Sequence, residues 1–539
     1  MRINQKLVKH FLISLRLVVS AFILLFVTAV NAESKKLICY GEDWPNTAYV
    51  RAHISEMEKF PFDGVVIAVS DELQPKYSGD CVGFRAWGKQ RFDPTKYQHA
   101  IDDLKNTSFK KFKDNFLAVE AMPGDVDWFS DDDFAGVAQN LKLMAKIAHE
   151  GGCRGIEFDP EEYGANKVWT WASWPEAIQK KHTEEECITI ARQRGREIMR
   201  AMNSEFPDIK VMFLLGPGYT TAHTVAGNHK YRLLLPFIDG MCEVAAQGTQ
   251  IIDGYEQSYG FRTPISFEDA VANQKQAKNF FQDKNAFDRV MRVGFGLWMD
   301  NNSGAIGWHP TEPEKNHFQP GTWQTAIHYA LKNSDEYVWI WHERYNLWAN
   351  QNLSPAYFEA QEKGRLAPGR IATTEMPKQV RQPHAAQLKG HDDASTFADL
   401  MQSHHLLLDL NQSKWELALD PQNQGAKGAT WKPIQIGKFW EEQGYDYDGI
   451  AWYRTKFNLP ETSAKNIILA VGAADESAWV YLNGELVATH DIGEGGWEQR
   501  FTTDITKHVK PGENDLLIRV LDRTGPGGLW KGIKIFGSK

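Results

Sequence analysis

From residue 36 to residue 363 the chain alternates eight short apolar or β-branched runs with segments patterned for helices. The runs cover 36–40, 64–69, 115–121, 154–159, 210–215, 250–253, 292–298 and 337–341. Between them, 47–60, 131–150, 183–206, 266–282 and 322–332 place apolar residues three and four apart, the period of a half-buried helix. Two of these helices open on capping residues, Ser130 with Asp133 and Thr183 with Glu186. Eight strand–helix units in about 330 residues predict a (β/α)8 barrel. An open doubly wound sheet is the competing architecture, and it is disfavoured by the count of eight and by the lack of a GxGxxG turn after the first run.

The flanking segments differ from this pattern. Arg2, Lys6, Lys9 and Arg16 precede an apolar run over 17–30 that ends in Val30-Asn31-Ala32. That is the layout of a cleavable secretory signal over 1–32, with an uncleaved anchor as the rival reading, and it predicts a secreted or periplasmic protein. No later stretch is apolar enough for stable membrane insertion. A net charge of −9 without a long basic run excludes nucleic acid as a partner. Five scattered cysteines, Cys39, Cys81, Cys153, Cys187 and Cys242, show no CxxC spacing, which leaves room for one bridge such as Cys39–Cys81 but not for a disulfide framework. Residues 364–394, with Pro368, Pro377 and Pro383, read as a linker. From 395 to 539 short strands dominate, at 450–458, 466–471, 477–482, 485–490, 500–505 and 515–521, with Asn483-Gly484 as a hairpin turn. This predicts an all-β sandwich.

Three stretches carry a resemblance. Gly449-Ile450-Ala451-Trp452-Tyr453-Arg454-Thr455-Lys456-Phe457-Asn458-Leu459-Pro460, Trp479-Val480-Tyr481-Leu482-Asn483-Gly484 and Leu516-Leu517-Ile518-Arg519-Val520 resemble the sugar-binding jelly-roll domain of β-galactosidases and β-glucuronidases. The resemblance implies a galactose-binding-like sandwich serving as an accessory module on a glycosidase. Trp497, Arg523 and Trp530 are then candidates for a ligand face, with core packing or contact to the barrel as the alternative.

In a barrel of this kind, function sits where strands hand over to the following loops. Acids and aromatics recur there: Glu42-Asp43-Trp44, Glu120 and Asp125, Asp159 with Glu161 and Glu162, Asp253-Gly254-Tyr255-Glu256, Trp298-Met299-Asp300, and Trp341-His342-Glu343. Arg154, Arg262, His309 and Arg344 are available to neutralise them. Along the fourth run, Glu157, Asp159 and Glu161 are two residues apart and share one face of an extended strand. Carboxylates crowded on one face hold protons at higher pH, which a general acid requires. This segment resembles the acid-x-acid-x-Glu pattern of chitinase-type barrels. The resemblance implies Glu161 as proton donor and Asp159 as the acid that poises it. Glu157 stands where that family has Asp, Arg154 where it usually has another acid, and Pro160 replaces an aromatic, so neither the chitinase substrate nor its substrate-assisted mechanism carries over.

Glycoside hydrolysis needs two carboxyl groups flanking one bond. Glu256 is the expected partner of Glu161, with Glu343 and Asp300 as rivals. The expected substrate contacts are Trp341, Glu343, Asp300, Glu42, Trp298, Tyr163 and Glu162. Nineteen tryptophans, several beside loops (Trp44, Trp128, Trp169, Trp171, Trp174, Trp298, Trp308, Trp341 and Trp348), suit stacking on sugar rings. HExxH, GxSxG, Walker and EF-hand motifs are absent from the sequence, and neither a metal nor a cofactor is expected. The resulting expectation is a secreted glycoside hydrolase acting on a poly- or oligosaccharide. The alternatives are a non-catalytic carbohydrate-binding barrel and an eliminase using Tyr163 or Tyr255.

Overall fold

The computed structural model describes residues 35–225, 230–301, 307–369, 374–375 and 393–539. The predicted signal 1–32 and most of the predicted linker lie outside the described residues. Barrel strands form at Lys36–Cys39, Gly64–Ile67, Phe116–Glu120, Gly155–Asp159, Lys210–Phe213, Gln250–Asp253 and Tyr337–Trp341. The seventh is split into Met291–Val293 and Phe295–Trp298 by Gly294 alone. Its first half pairs with the sixth strand and its second half with the eighth, and the eighth pairs with the first. All these pairings are parallel, so the ring is a (β/α)8 barrel. A Cβ on Gly294 would lie 2.7 Å from Ile252 Cγ2 and 2.9 Å from the Asp253 carbonyl, so the strand changes partners at a residue without a side chain.

Strand alternation sorts side chains into two cores. Ile156 and Phe158 join the shell between strands and helices. Ile38, Val66, Phe116, Ala118, Met212, Ile252, Tyr337 and Trp339 fill the lumen. The register sets Glu157 beside Ala118 and Met212, which places it in the lumen layer. Helix 131–150 starts where its cap predicts, with Ser130 accepting from the Asp133 N–H, and Thr183 forms a full capping box with Glu186. The five cysteines are buried and unbridged. Cys39 packs in the outer shell and Cys81 in the lumen, on opposite faces of the strand layer, so the expected Cys39–Cys81 bridge is not made.

The C-terminal part is an antiparallel sandwich of a four-stranded and a six-stranded sheet over one apolar core. Asn483 and Gly484 both have positive φ, the geometry of the hairpin read from their sequence. The sandwich docks on the loop and helix that follow the sixth barrel strand. Arg262 donates to Asp448 Oδ2 at 2.6 Å and to Asp446 Oδ1 at 3.0 Å. Arg523, buried, donates to Asp269 Oδ2 at 2.6 Å on helix Pro264–Gln276 and to Glu476 Oε2 at 3.1 Å. Arg523 and Trp530 therefore face the barrel contact and the core, and Trp530 stacks between Phe439 and Trp497.

Candidate active site

At the C-terminal end of the fourth strand, Asp159 is buried and its two oxygens are both engaged. Oδ1 accepts from the Glu161 N–H at 2.8 Å, and Oδ2 lies 2.8 Å from the Tyr163 hydroxyl. The same hydroxyl contacts Glu161 Oε2. A phenol has one hydrogen, so two carboxyl contacts are satisfied only when one carboxyl is protonated and donates to the phenol oxygen. Asp159 fits that part: burial, then the charge of Glu161, pushes its pKa up to about 7. The result is a chain from Asp159 through Tyr163 to Glu161, with the Tyr163 ring 59% exposed above it.

Glu256 comes from the sixth strand's loop, on the one-turn helix Glu256–Gly260, and hydrogen-bonds Tyr259 three residues on. Its pKa is driven well up by burial, then by the charges of Glu161 and Asp159. Glu120, opposite Asp159 in the register, is raised to about 8 by burial and by Asp159, Glu161 and Glu42. Glu157, fully buried with neither carboxyl oxygen accepting a hydrogen bond, is raised by burial and by Asp159, Glu120 and Glu256. Glu42 is raised by burial and by Glu343. Each of these acids acts on the next, so carboxyls from the first, third, fourth, sixth and eighth strands converge on one opening.

The other expected contacts divide. Trp298 Nε1 donates to Asp300 and Trp341 Nε1 to Glu343, the same two-residue spacing at adjacent strand ends. Both indoles are partly buried, and Trp341 meets Tyr40 edge-on at 4.9 Å. Asp300 is completely buried and accepts from the backbone N–H groups of Glu343, Arg344 and Tyr345, which shapes the eighth strand's loop. Glu162 is spent in the same manner on the N–H groups of Trp169 and Thr170 and the Thr170 hydroxyl. Two expected cations do not reach the opening. Arg154 lies at the opposite end of the barrel and pairs with Asp114, because it precedes its strand instead of following it. Arg262 is taken by the sandwich. Tyr255 is 1% exposed and packs on Phe261 and Phe295 in the outer shell, which removes it from any eliminase role. Trp128 and Trp169 are likewise core, packed with Trp87.

Two residues, Tyr259 and Lys230, and one pairing, Asp43 with His342, lie beyond the sequence reading. Tyr259 was signalled by its i+3 spacing from Glu256, but only once 256–260 is taken as a helical turn. Asp43 and His342 form a buried pair 299 residues apart that also holds the Leu347 N–H, and no local pattern announces it. Lys230 acts on Glu256 as an opposing charge from a distant loop.

The molecule is thus an eight-stranded parallel barrel with acids gathered at the C-terminal ends of its strands, joined to an antiparallel sandwich. Comparison with known proteins bears on the second part. Residues 411–525 match the family described as the β-galactosidase second all-beta domain. An exo-β-D-glucosaminidase of Arthroderma benhamiae is 35% identical over 75 residues, which make up 14% of this chain and 8% of that protein. The solved β-glucuronidase of Ruminococcus gnavus in complex with D-glucuronic acid aligns over 25% of this chain and 30% of its own, at 19% identity and a TM-score of 0.22.

Proposed function

We propose that this protein is a glycoside hydrolase, exported by segment 1–32, that cleaves a poly- or oligosaccharide at the barrel opening. The observation that carries this reading is the convergence of Asp159, Glu161 and Glu256, where the charges of Glu161 and Asp159 act on Glu256 and that of Glu161 acts on Asp159. Like charges this close hold a proton between them, so at neutral pH one acid and one carboxylate face the same space. That is the pair a glycosidic bond requires. Glu161 donates the proton to the leaving oxygen, and the Asp159–Tyr163 chain restores it. Glu256, from the sixth strand's loop, acts at the anomeric carbon as nucleophile or base. Trp341 and Trp298 flank the sugar, with Glu343 and Glu42 at its hydroxyls. The β-galactosidase-type sandwich supports a carbohydrate substrate.

The roles separate by leaving group. With aryl glycosides of graded leaving-group acidity, Glu161→Gln should lose turnover most on the poorest leaving groups, while Glu256→Ala should lose it on all of them and recover with azide. The reverse pattern would exchange the two assignments, and wild-type turnover in both variants would end the proposal.

A further inference from the structure

A second acidic centre lies in the sandwich, away from the barrel opening. One oxygen each from Asp475, Glu476 and Asp522 lie within 4.8 Å of one another, and all three residues are buried. Asp522, at the end of strand Glu513–Asp522, is 0% exposed, and neither of its oxygens has a hydrogen-bond partner. An ionised carboxylate in that state costs several kcal/mol unless a cation or a proton meets it. Gly527 closes over it: a Cβ there would stand 2.3 Å from Asp522 Oδ2. The same Cβ would lie 2.3 Å from the Trp440 ring, so Gly527 and Trp440 wall one side of the carboxylate.

Charge near this point is lopsided. Arg262 is shared by Asp446 and Asp448, and Arg523 by Glu476, Asp269 and Asp491. Among the described residues, two guanidiniums thus serve five carboxylates before Asp522 is counted. Asp448, Asp475, Glu441 and Glu476 all press on Asp522 electrostatically. All the side-chain donors converging here are oxygens, without histidine or cysteine, which selects a hard cation. Ca2+ suits the site better than Mg2+, because it accepts carboxylate oxygens in irregular geometry.

We propose that Asp475, Glu476 and Asp522 bind a calcium ion that locks the sandwich onto the barrel. Glu476 joins the ion to Arg523 and through it to Asp269 on barrel helix Pro264–Gln276. That helix follows the loop bearing Glu256, so the ion braces the wall of the opening from outside.

The test uses the full-length protein, stripped with EGTA and then given calcium chloride or magnesium chloride. Elemental analysis after dialysis should find one calcium per chain. Calcium at 1 mM should raise the melting temperature by about 3 °C or more, with magnesium weaker. Asp522→Asn should abolish both the bound calcium and the shift, while the surface variant Glu416→Gln keeps both. Absence of calcium and an equal melting temperature with and without EGTA would overturn the proposal and leave Asp522 as a buried protonated acid. Calcium retained at full stoichiometry in Asp522→Asn would overturn the ligand assignment. If Asp522→Asn does not fold, wild-type stoichiometry and the EGTA shift still decide the matter.

Discussion

The two ends of the barrel treat charge in opposite ways. At the N-terminal end Lys210 meets Glu336 at 2.6 Å and the Tyr337 hydroxyl at 3.0 Å, Tyr337 donates to Asp114 at 2.9 Å, and Arg154 donates to the same oxygen at 3.0 Å. Glu336 and Asp114 thus each have a cation, and Asp114 a phenol donor as well. At the C-terminal end Glu42, Glu120, Glu157, Asp159 and Glu256 have mainly each other, and burial pushes all of them toward the protonated form. One end pairs its acids with cations, and the other leaves these five in competition for protons. Stability accounts for the first arrangement. The second costs stability, and the chemistry proposed for the opening accounts for its presence.

Substitutions at the two ends should therefore separate activity from stability. Glu161→Gln should lower kcat/KM on a natural glycoside by about 10²–10⁴-fold, the usual worth of a positioned acid, with the melting temperature unchanged. Unchanged kcat/KM would erase the distinction between the ends. Tyr163→Phe removes the hydroxyl that links Asp159 to Glu161; a loss of about tenfold is expected, with a displaced acidic limb in the pH–rate profile. A loss with an unmoved profile would reduce Tyr163 to a contact surface. At the other end, Asp114→Asn should cost about 1–3 kcal/mol in chemical denaturation, since it weakens the acceptor of two hydrogen bonds, with kcat unaffected.

A pH series sharpens the contrast further. Burial and the neighbouring acids push Glu120 up to about 8 and Asp159 up to about 7 in the folded protein, against ordinary values of 4.5 and 3.8. Between those limits the folded state holds protons that the unfolded chain has released. Stability contributed by these acids is therefore present at low pH and is lost as pH rises from about 4 to about 8. Glu120→Gln should raise the melting temperature at pH 8 and leave it nearly unchanged at pH 4. An equal effect at both values would show that packing, not charge, sets the behaviour of Glu120.

Much of this arrangement was legible from local pattern. The eight barrel runs appear within one or two residues of their predicted ends, because each is a short apolar run bounded by polar turns. Strands His404–Asp409 and Ile533–Ser538 were missed because neither alternates: the first is half-exposed throughout, and the second is almost continuously buried. Around the opening, sequence alone placed Asp159, Glu161 and Glu256 at strand ends, since strand periodicity and chain order dictate that. Side-chain occupation was invisible at that level. Asp300 and Glu162 have the same composition signal as Glu161, yet their oxygens are taken up by loop N–H groups whose positions depend on tertiary folding.

Periodicities of two and 3.6 residues, together with turn chemistry, are enough to specify the barrel, the sandwich and the ring of acids. Which acids are spent on backbone donors, which cations serve the domain contact and which carboxyls share protons is set by the folded arrangement. Those outcomes rest on contacts between residues far apart in the chain, such as Arg262 with Asp448 and Arg523 with Asp269, and no local pattern encodes such a pair.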